Sequence, residues 1–219
     1  MTTCGGSKGY GTIFKLAANG SFSVLYQFTG GNDGGGPLAG LDGDRAGNLY
    51  GTAFGGVHKF GVVFRLAPDG SYKVLHSFAG GSDGAYPIGA IEHDRFGNLY
   101  GTTETGGSKD AGTIFMLTSA GAFSSLYSFT GGADGKYPWG NMLKVGGALY
   151  GTTSAGGAGY GTVFKILADG TFATVHTFDN QGGAGPYVGL TKNKDGILYG
   201  TTFAGGANGW GTVFSITKK

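Results

Sequence analysis

The chain has 219 residues, a net charge of +2 and only 13% charged side chains. No stretch concentrates Lys and Arg as a nucleic-acid surface requires, so we predict no nucleic-acid partner. Its 50 glycines follow no Gly-X-Y period and are accompanied by 14% aromatic residues, which excludes collagen and a disordered linker. The sequence also predicts no membrane span and no signal peptide.

One phrase recurs along the chain about every 50 residues. A glycine opens a run that ends in Val-Phe or Ile-Phe at Gly11, Gly61, Gly112, Gly161 and Gly211. A second phrase, Leu-Tyr-Gly-Thr, begins at Leu49, Leu99, Leu149 and Leu198. A period of about 20–50 residues is typical of solenoids, propellers and arrays. We therefore predict one repeat domain over 1–219, with repeats at 1–50, 51–100, 101–150 and 151–199 and a partial repeat at 200–219.

Each repeat is predicted to contain four short antiparallel strands. In the second unit these are 88–94, 99–103, 112–117 and 122–129, separated by turn residues or by Gly-rich segments. Phe22, Val24, Tyr26 and Phe28 share one face with Ser23 and Gln27 on the other, and this alternation indicates a strand rather than a helix. Four strands per repeat predict an all-β fold, a β-propeller of four to five blades.

The loops of such repeats are predicted to divide between two faces. Consecutive strands run in opposite directions, so the two tight turns share one face and the two long Gly-rich loops share the other. Long loops on a rigid scaffold are common places for binding residues. Four first strands against five third strands leave closure open between four and five blades. Unmatched strands make a homo-oligomer one of the alternatives.

The repeated phrases also resemble a known family. Gly205-Gly206 followed by Gly211-Thr-Val-Phe214, Asp169-Gly170-Thr-Phe172 and Leu149-Tyr-Gly-Thr-Thr153 are similar to the GloVer-type bacterial tandem repeat, and the similarity covers essentially the whole chain. The resemblance implies a repeat β-fold and a location that is extracellular or on the cell surface. It implies no catalytic residue.

Aromatic residues are the main candidates for ligand binding. They flank the third-strand glycines or the loop prolines, and flat rings with polar tips suit sugar recognition. The alternative is that these rings pack between blades. His58 and Lys109, two loop residues without a match in the other repeats, join the set. The candidates are Tyr10, Phe60, Tyr160, Trp210, Tyr86, Tyr137, Tyr187, Trp139, His58 and Lys109.

Acidic residues supply weaker candidates for catalysis and metal binding. Glu104 and Asp110 are the candidate catalytic residues, and either one would lie in an axial pocket on the long-loop side. Asp33, Asp83 and Asp134 lie in Gly-rich loops that resemble calcium turns, but one carboxylate per loop is few for Ca²⁺. We therefore predict no metal and no cofactor, with calcium as the alternative, and interpret these aspartates as turn residues.

Three functions remain open from the sequence. The first is an extracellular binding or scaffold module that meets a glycan or a protein through the long-loop side. The second is a carbohydrate-active enzyme, either a polysaccharide lyase or a hydrolase. The third is a structural unit that assembles with copies of itself.

Overall fold

The computed structural model describes residues 1–217, which form five antiparallel sheets. The first sheet contains β1 (Thr12–Leu16) and β2 (Phe22–Gln27). The second contains β3 (Asp42–Gly43), β4 (Leu49–Ala53), β5 (Val62–Leu66) and β6 (Tyr72–Ser77). The third contains β7 (Glu92–His93), β8 (Leu99–Thr103), β9 (Thr113–Leu117) and β10 (Phe123–Ser128). The fourth contains β11 (Leu143–Val145), β12 (Ala148–Thr153), β13 (Thr162–Leu167) and β14 (Phe172–Thr177). The fifth contains β15 (Thr191–Lys192), β16 (Leu198–Thr201) and β17 (Val213–Ile216).

The three middle sheets have the predicted four strands, each paired with its neighbour in chain order. The prediction of four-stranded repeats in an all-β chain is confirmed. Apart from a 3-10 turn at Gly81–Asp83, the regular structure is β. Nothing helical within residues 1–217 has the length and apolar character needed to cross a membrane.

The two recurring phrases depend on each other across the second and third strands. Gly101 pairs with Phe115, and a Cβ on that glycine would lie 2.5 Å from the phenylalanine ring. Gly151 and Phe164 stand in the same relation, again at 2.5 Å. Since only glycine leaves room for the ring, Leu-Tyr-Gly-Thr and the third-strand phenylalanine must recur together.

Neighbouring sheets are joined by apolar clusters. The third-strand residues Phe64, Phe115 and Phe164 are fully buried in three of these clusters. Rings of the fourth strands extend the contact, as where Tyr26 stacks on Tyr72 of the following sheet with ring centres 4.0 Å apart. Four clusters of this kind join the five sheets in chain order.

The first strand of each repeat is shorter than the sequence predicts. Residues 88–94 were expected to form one strand, but only Glu92–His93 pair in the ladder. The residues before them bond sideways to other repeats instead: Gly89 O accepts from Thr52 Oγ1 at 3.1 Å, and Ala90 N donates to Asn141 Oδ1 at 2.7 Å. The backbone groups of this segment therefore link three successive sheets.

The fourth strands contain a bulge that the alternating pattern does not reveal. Ile13 pairs with Tyr26 and Phe14 pairs with Val24, so Leu25 is an extra residue in β2. The same irregularity occurs in the pairs β5–β6, β9–β10 and β13–β14. The two-residue alternation is therefore interrupted once in each of these strands, where a bulge increases the local twist.

The first and fifth sheets stand at the two ends of the series. Over residues 1–217, no apolar cluster joins one to the other. The architecture is three complete sheets flanked by a two-stranded and a three-stranded sheet. This agrees with the predicted four to five blades.

Candidate functional site

The two kinds of long loop meet on one face, as the antiparallel strand order requires. Bridges between Ala85 and Thr105 and between Lys136 and Ala155 connect each loop after a fourth strand to a loop of the next sheet. We call this surface the long-loop face; it comprises residues 28–38, 54–61, 78–88, 104–112, 129–139, 154–161, 178–187 and 202–211. The opposite surface, the turn face, carries the tight turns at 17–21, 44–48, 67–71, 94–98, 118–122, 145–148, 167–171 and 193–197.

Three exposed rings form a row on the long-loop face. The ring centre of Tyr187 lies 5.2 Å from that of Trp139 and 5.7 Å from that of Phe203. Trp139 is 39% exposed and Phe203 is 77% exposed. Phe203 was not among the predicted ligand residues, although it occupies the variable position of Ser154 and Glu104 in other repeats. The structure thus adds one ring to the predicted Trp139 and Tyr187.

A second group of rings lies between the loops of neighbouring sheets. Tyr86 lies between Phe54 and Phe60, with ring centres 6.1 Å and 6.0 Å away. Tyr137 takes the same backbone conformation as Tyr86, with φ of 58° and 59°, and the Lys136 ammonium lies 5.0 Å from its ring centre. In this group Phe60 and Tyr137 are partly buried between loops, which fits the packing alternative.

The remaining predicted rings differ in exposure. Tyr10 packs over Gly30, where its ring leaves no space for a Cβ. Tyr160 is partly accessible, whereas Trp210 is 91% exposed. Of these three, Trp210 presents by far the largest free surface.

The charged candidates of the long-loop face do not converge on a pocket. His58 and Lys109 are exposed in their loops. Asp110 has a φ of 53°, and its Oδ1 accepts a hydrogen bond from Gly106 N at 2.7 Å. Glu104 is partly buried. The hydrogen bond from Gly106 to Asp110 indicates that Asp110 stabilises its own loop.

The loop aspartates bind the ring tips of the fourth strands. Asp33, Asp83 and Asp134 each contact such a ring, as where the Tyr26 hydroxyl donates to Asp33 at 2.9 Å and His76 Nε2 lies 3.0 Å from Asp83. Burial, the hydrogen bond to Asp33 and its charge raise the pKa of Tyr26 to about 12. Among residues 1–217, no group of three or more His, Cys, Asp or Glu side chains is arranged to hold a metal ion.

Ionisable groups gather instead on the first strands. Asp42 Oδ2 accepts from His93 N at 2.9 Å and lies 2.6 Å from His93 Nδ1. Burial and then the charge of Asp42 raise the pKa of the adjacent Glu92, while His93 and Lys144 act against that rise. We call Asp42, Glu92, His93 and Lys144 the first-strand cluster. A carboxyl whose pKa is raised by burial is a common feature of sites that transfer protons.

A cavity of about 780 Å³ opens beside this cluster on the turn face. Its lining includes His93, Lys144 and the turn residues Arg45, Arg95 and Phe96. The Arg95 guanidinium lies 4.7 Å from the centre of the Phe96 ring. This cavity beside ionisable groups is therefore on the turn face, which the sequence did not favour.

The raised pKa of Glu92 predicts a pH-dependent stability. The folded state holds this proton more tightly than the unfolded chain, whose glutamate pKa is about 4.3, so Glu92 ionisation lowers stability as the pH rises above that value. We expect Glu92→Gln to gain stability relative to the unchanged chain as the pH rises above about 4.3. Urea unfolding of both proteins over a pH series that begins below that value measures the difference. A constant difference would contradict the prediction.

Comparison with protein families identifies the repeat. A sequence model described as the Gloeobacter/Verrucomicrobia repeat matches residues 1–95 and residues 61–219. The two overlapping matches together span the chain. No curated protein sequence matches it.

Comparison with solved structures identifies the fold. A gluconolactonase from Xanthomonas campestris is similar with a TM-score of 0.57 and 14% identity, over 93% of this chain and 65% of that one. The extracellular domain of a one-component system from B. thetaiotaomicron has a TM-score of 0.64 and 9% identity, over 96% of this chain and 26% of that one. The chain therefore spans less than two thirds of either protein. These similarities establish a β-propeller fold and confirm the predicted fold class.

Proposed function

The chain belongs to the Gloeobacter/Verrucomicrobia repeat family. We propose that it is an extracellular binding module for a glycan. The observation that carries the proposal is the exposed row of Trp139, Tyr187 and Phe203 on the long-loop face. Adjacent exposed rings offer apolar faces on which sugar rings stack, and the tyrosine hydroxyl and the indole N–H add hydrogen bonds. The extracellular location follows the resemblance of the repeat to exported bacterial proteins.

Repetition supports a binding role more than a single catalytic site. Each loop after a fourth strand is bridged to the loop between the second and third strands of the next sheet, so loops of successive repeats lie side by side and can contact a chain of similar units together. Several weak contacts of this kind raise the overall affinity without any one strong contact. A polysaccharide is itself a chain of similar sugar units, so it can contact the loops of several repeats at once.

Alanine substitutions in the row test the proposal. After a glycan array has identified a bound sugar, we expect Trp139→Ala and Tyr187→Ala each to weaken its binding about tenfold, which corresponds to ~1.4 kcal/mol. Isothermal titration calorimetry with that sugar measures the change. Phe96→Ala is the matched control, since Phe96 is an exposed ring on the turn face.

Two outcomes would overturn the assignment. One is an array without any bound glycan, which would leave a protein as the ligand to be sought. The other is an equal loss of affinity in Phe96→Ala, which would move the binding surface to the turn face.

A second candidate, a carbohydrate-active enzyme, is favoured by the first-strand cluster and its cavity. The acid–base groups would then be Glu92 and His93, rather than the predicted Glu104 and Asp110. Incubating the protein with neutral and acidic polysaccharides tests this candidate. An absence of released sugar would remove it.

A further inference from the structure

Two positive charges lie opposite each other on the second sheet. Arg65 of β5 pairs with Lys73 of β6, so the two side chains emerge on the same side of the sheet. Within residues 1–217 the two ion pairs shorter than 4.0 Å both involve histidines, so neither of these cations has an acidic partner. Like charges placed directly opposite each other destabilise a sheet. An anion bound beside them would relieve that repulsion.

The equivalent pairs in the first, third and fourth sheets carry at most one positive charge. These pairs are Lys15 with Ser23, Met116 with Ser124, and Lys165 with Ala173. The doubled positive charge is therefore a property of the second sheet and not of the repeat as such.

The two cations line a cavity of about 260 Å³ between the second and third sheets, which we call the inter-sheet cleft. From the third sheet the cleft is lined by Leu99, Leu117 and the tight turn at 118–121. The Nε atom of Arg65 is buried and has no hydrogen-bond partner within the described chain. A buried donor without an acceptor costs more free energy than a typical hydrogen bond gains, so an oxygen acceptor at this nitrogen would stabilise the protein.

The turn that lines the inter-sheet cleft lacks the acidic residue of its equivalents. Asp69 and Asp169 occupy the third position of the tight turns in the second and fourth sheets, where the third sheet has Ala120. In the cavity between the first and second sheets, the single cation Lys15 lies with the turn that carries Asp69. The acidic turn residue is therefore replaced where the positive charge of the cleft is doubled.

Two other carboxylates close to the cleft are bound within their own turns. Asp44 accepts four hydrogen bonds at 2.8–3.0 Å, all from residues 46–50. Asp69 accepts one from Ser71 N at 2.9 Å. In the part of the chain that the structure describes, neither aspartate comes within 4.0 Å of the two cations. The charge of the cleft is thus left for a ligand to balance.

We propose that the inter-sheet cleft binds the phosphate group of a small phosphate monoester. The planar guanidinium of Arg65 suits paired hydrogen bonds to phosphate oxygens, and the Lys73 ammonium supplies the second positive charge. A phosphate monoester carries about −1.5 to −2 charges at pH 7, which matches two cations better than the single charge of a carboxylate or a sulfate ester.

The size and walls of the cleft limit the rest of the ligand. Pockets for drug-sized molecules begin at about 300 Å³, so the organic part of this ligand is small. It would contact Leu75, Leu99 and Leu117, which line the cleft. The site is separate from the long-loop face and does not depend on glycan binding.

Isothermal titration calorimetry with phenyl phosphate, at about pH 7.5 and constant ionic strength, tests the proposal. We expect Arg65→Met and Lys73→Met each to weaken binding by about tenfold or more. Lys165→Met is the matched control, because Lys165 is the equivalent of Arg65 but pairs with Ala173, and it should bind like the unchanged chain. Phenyl sulfate, which has the same ring and one negative charge, should bind more weakly than phenyl phosphate.

Urea unfolding gives a second measurement on the same variants. Lys73 is exposed, so Lys73→Met keeps the test valid if Arg65→Met does not fold. Phenyl phosphate should raise the urea midpoint of the unchanged chain and of Lys165→Met, but not that of Lys73→Met. The proposal is overturned if the unchanged chain does not bind phenyl phosphate, if Lys165→Met weakens binding as much as Lys73→Met, or if phenyl sulfate binds equally well.

Discussion

Replacing Phe164 by alanine is expected to lower the free energy of unfolding by about 3–5 kcal/mol. Phe164 is fully buried in the cluster between the third and fourth sheets. Its ring centre lies 5.3 Å from that of Phe129 and 5.6 Å from that of Phe172. The substitution would leave a cavity between two sheets, since Phe129 and Phe172 are themselves held by packing in the same cluster.

Urea unfolding measures the loss, and Phe96→Ala is the control. Phe96 is 66% exposed, so its removal should cost less than about 1 kcal/mol. A double-mutant cycle makes the test sharper. Gly151→Ala should clash with the Phe164 ring but find space once that ring is removed, so the two substitutions together should cost less than their sum by about 0.5–3 kcal/mol. Additive costs would contradict the packing described for Gly151 and Phe164.

The second large effect is expected from Gly112→Ala. Gly112 has a φ of 99°, and a Cβ there would lie 2.5 Å from Thr103 O and 2.6 Å from Pro138 Cδ. The variant combines a strained backbone with clashes against the second strand and against the loop that leads to the next sheet. We therefore expect its free energy of unfolding to fall by about 2–4 kcal/mol. The comparison is Gly121→Ala in the same repeat.

Gly121 has a similar φ of 90°, but nothing lies within 4 Å of its Cβ position. Gly121→Ala should therefore show the strain alone, about 1–2 kcal/mol. Thermal unfolding of the two variants side by side separates the two causes. Equal losses would mean that Pro138 and the strand carbonyl can move aside.

Much of the fold could be predicted from the sequence because the same pattern of strand and turn residues recurs in each repeat. The 50-residue period and the alternation in the fourth strands determine four strands per unit, and the antiparallel order then determines which loops share a face. The first strands were overestimated because apolar residues such as Ile88 and Ile91 are buried by neighbouring repeats without belonging to a ladder. An apolar run in the sequence therefore does not show whether its residues pair in a strand ladder or only pack against one.

The candidate site was less predictable, for a physical reason. Asp42 and His93 are 51 residues apart and stand at non-equivalent repeat positions, since Asp42 pairs with Tyr50 whereas His93 pairs with Leu99. Aligning the repeats places Asp42 and His93 at different positions, so the alignment does not reveal that they are in contact. The bonds from loop aspartates to Tyr26 and His76 were also missed, although the sequence did place all of these residues correctly in loops and strands.

The glycine and phenylalanine that pair within each of the second to fifth sheets allow the protein to change its length by one complete repeat at a time. The pair is completed inside one blade, and each apolar cluster needs only the blade before or after it. Duplicating a single repeat would add one self-sufficient layer and one further junction of the kind already present, while every older junction keeps its residues. Gene duplication can therefore extend this protein without redesigning it, and each new copy is free to acquire its own loop chemistry.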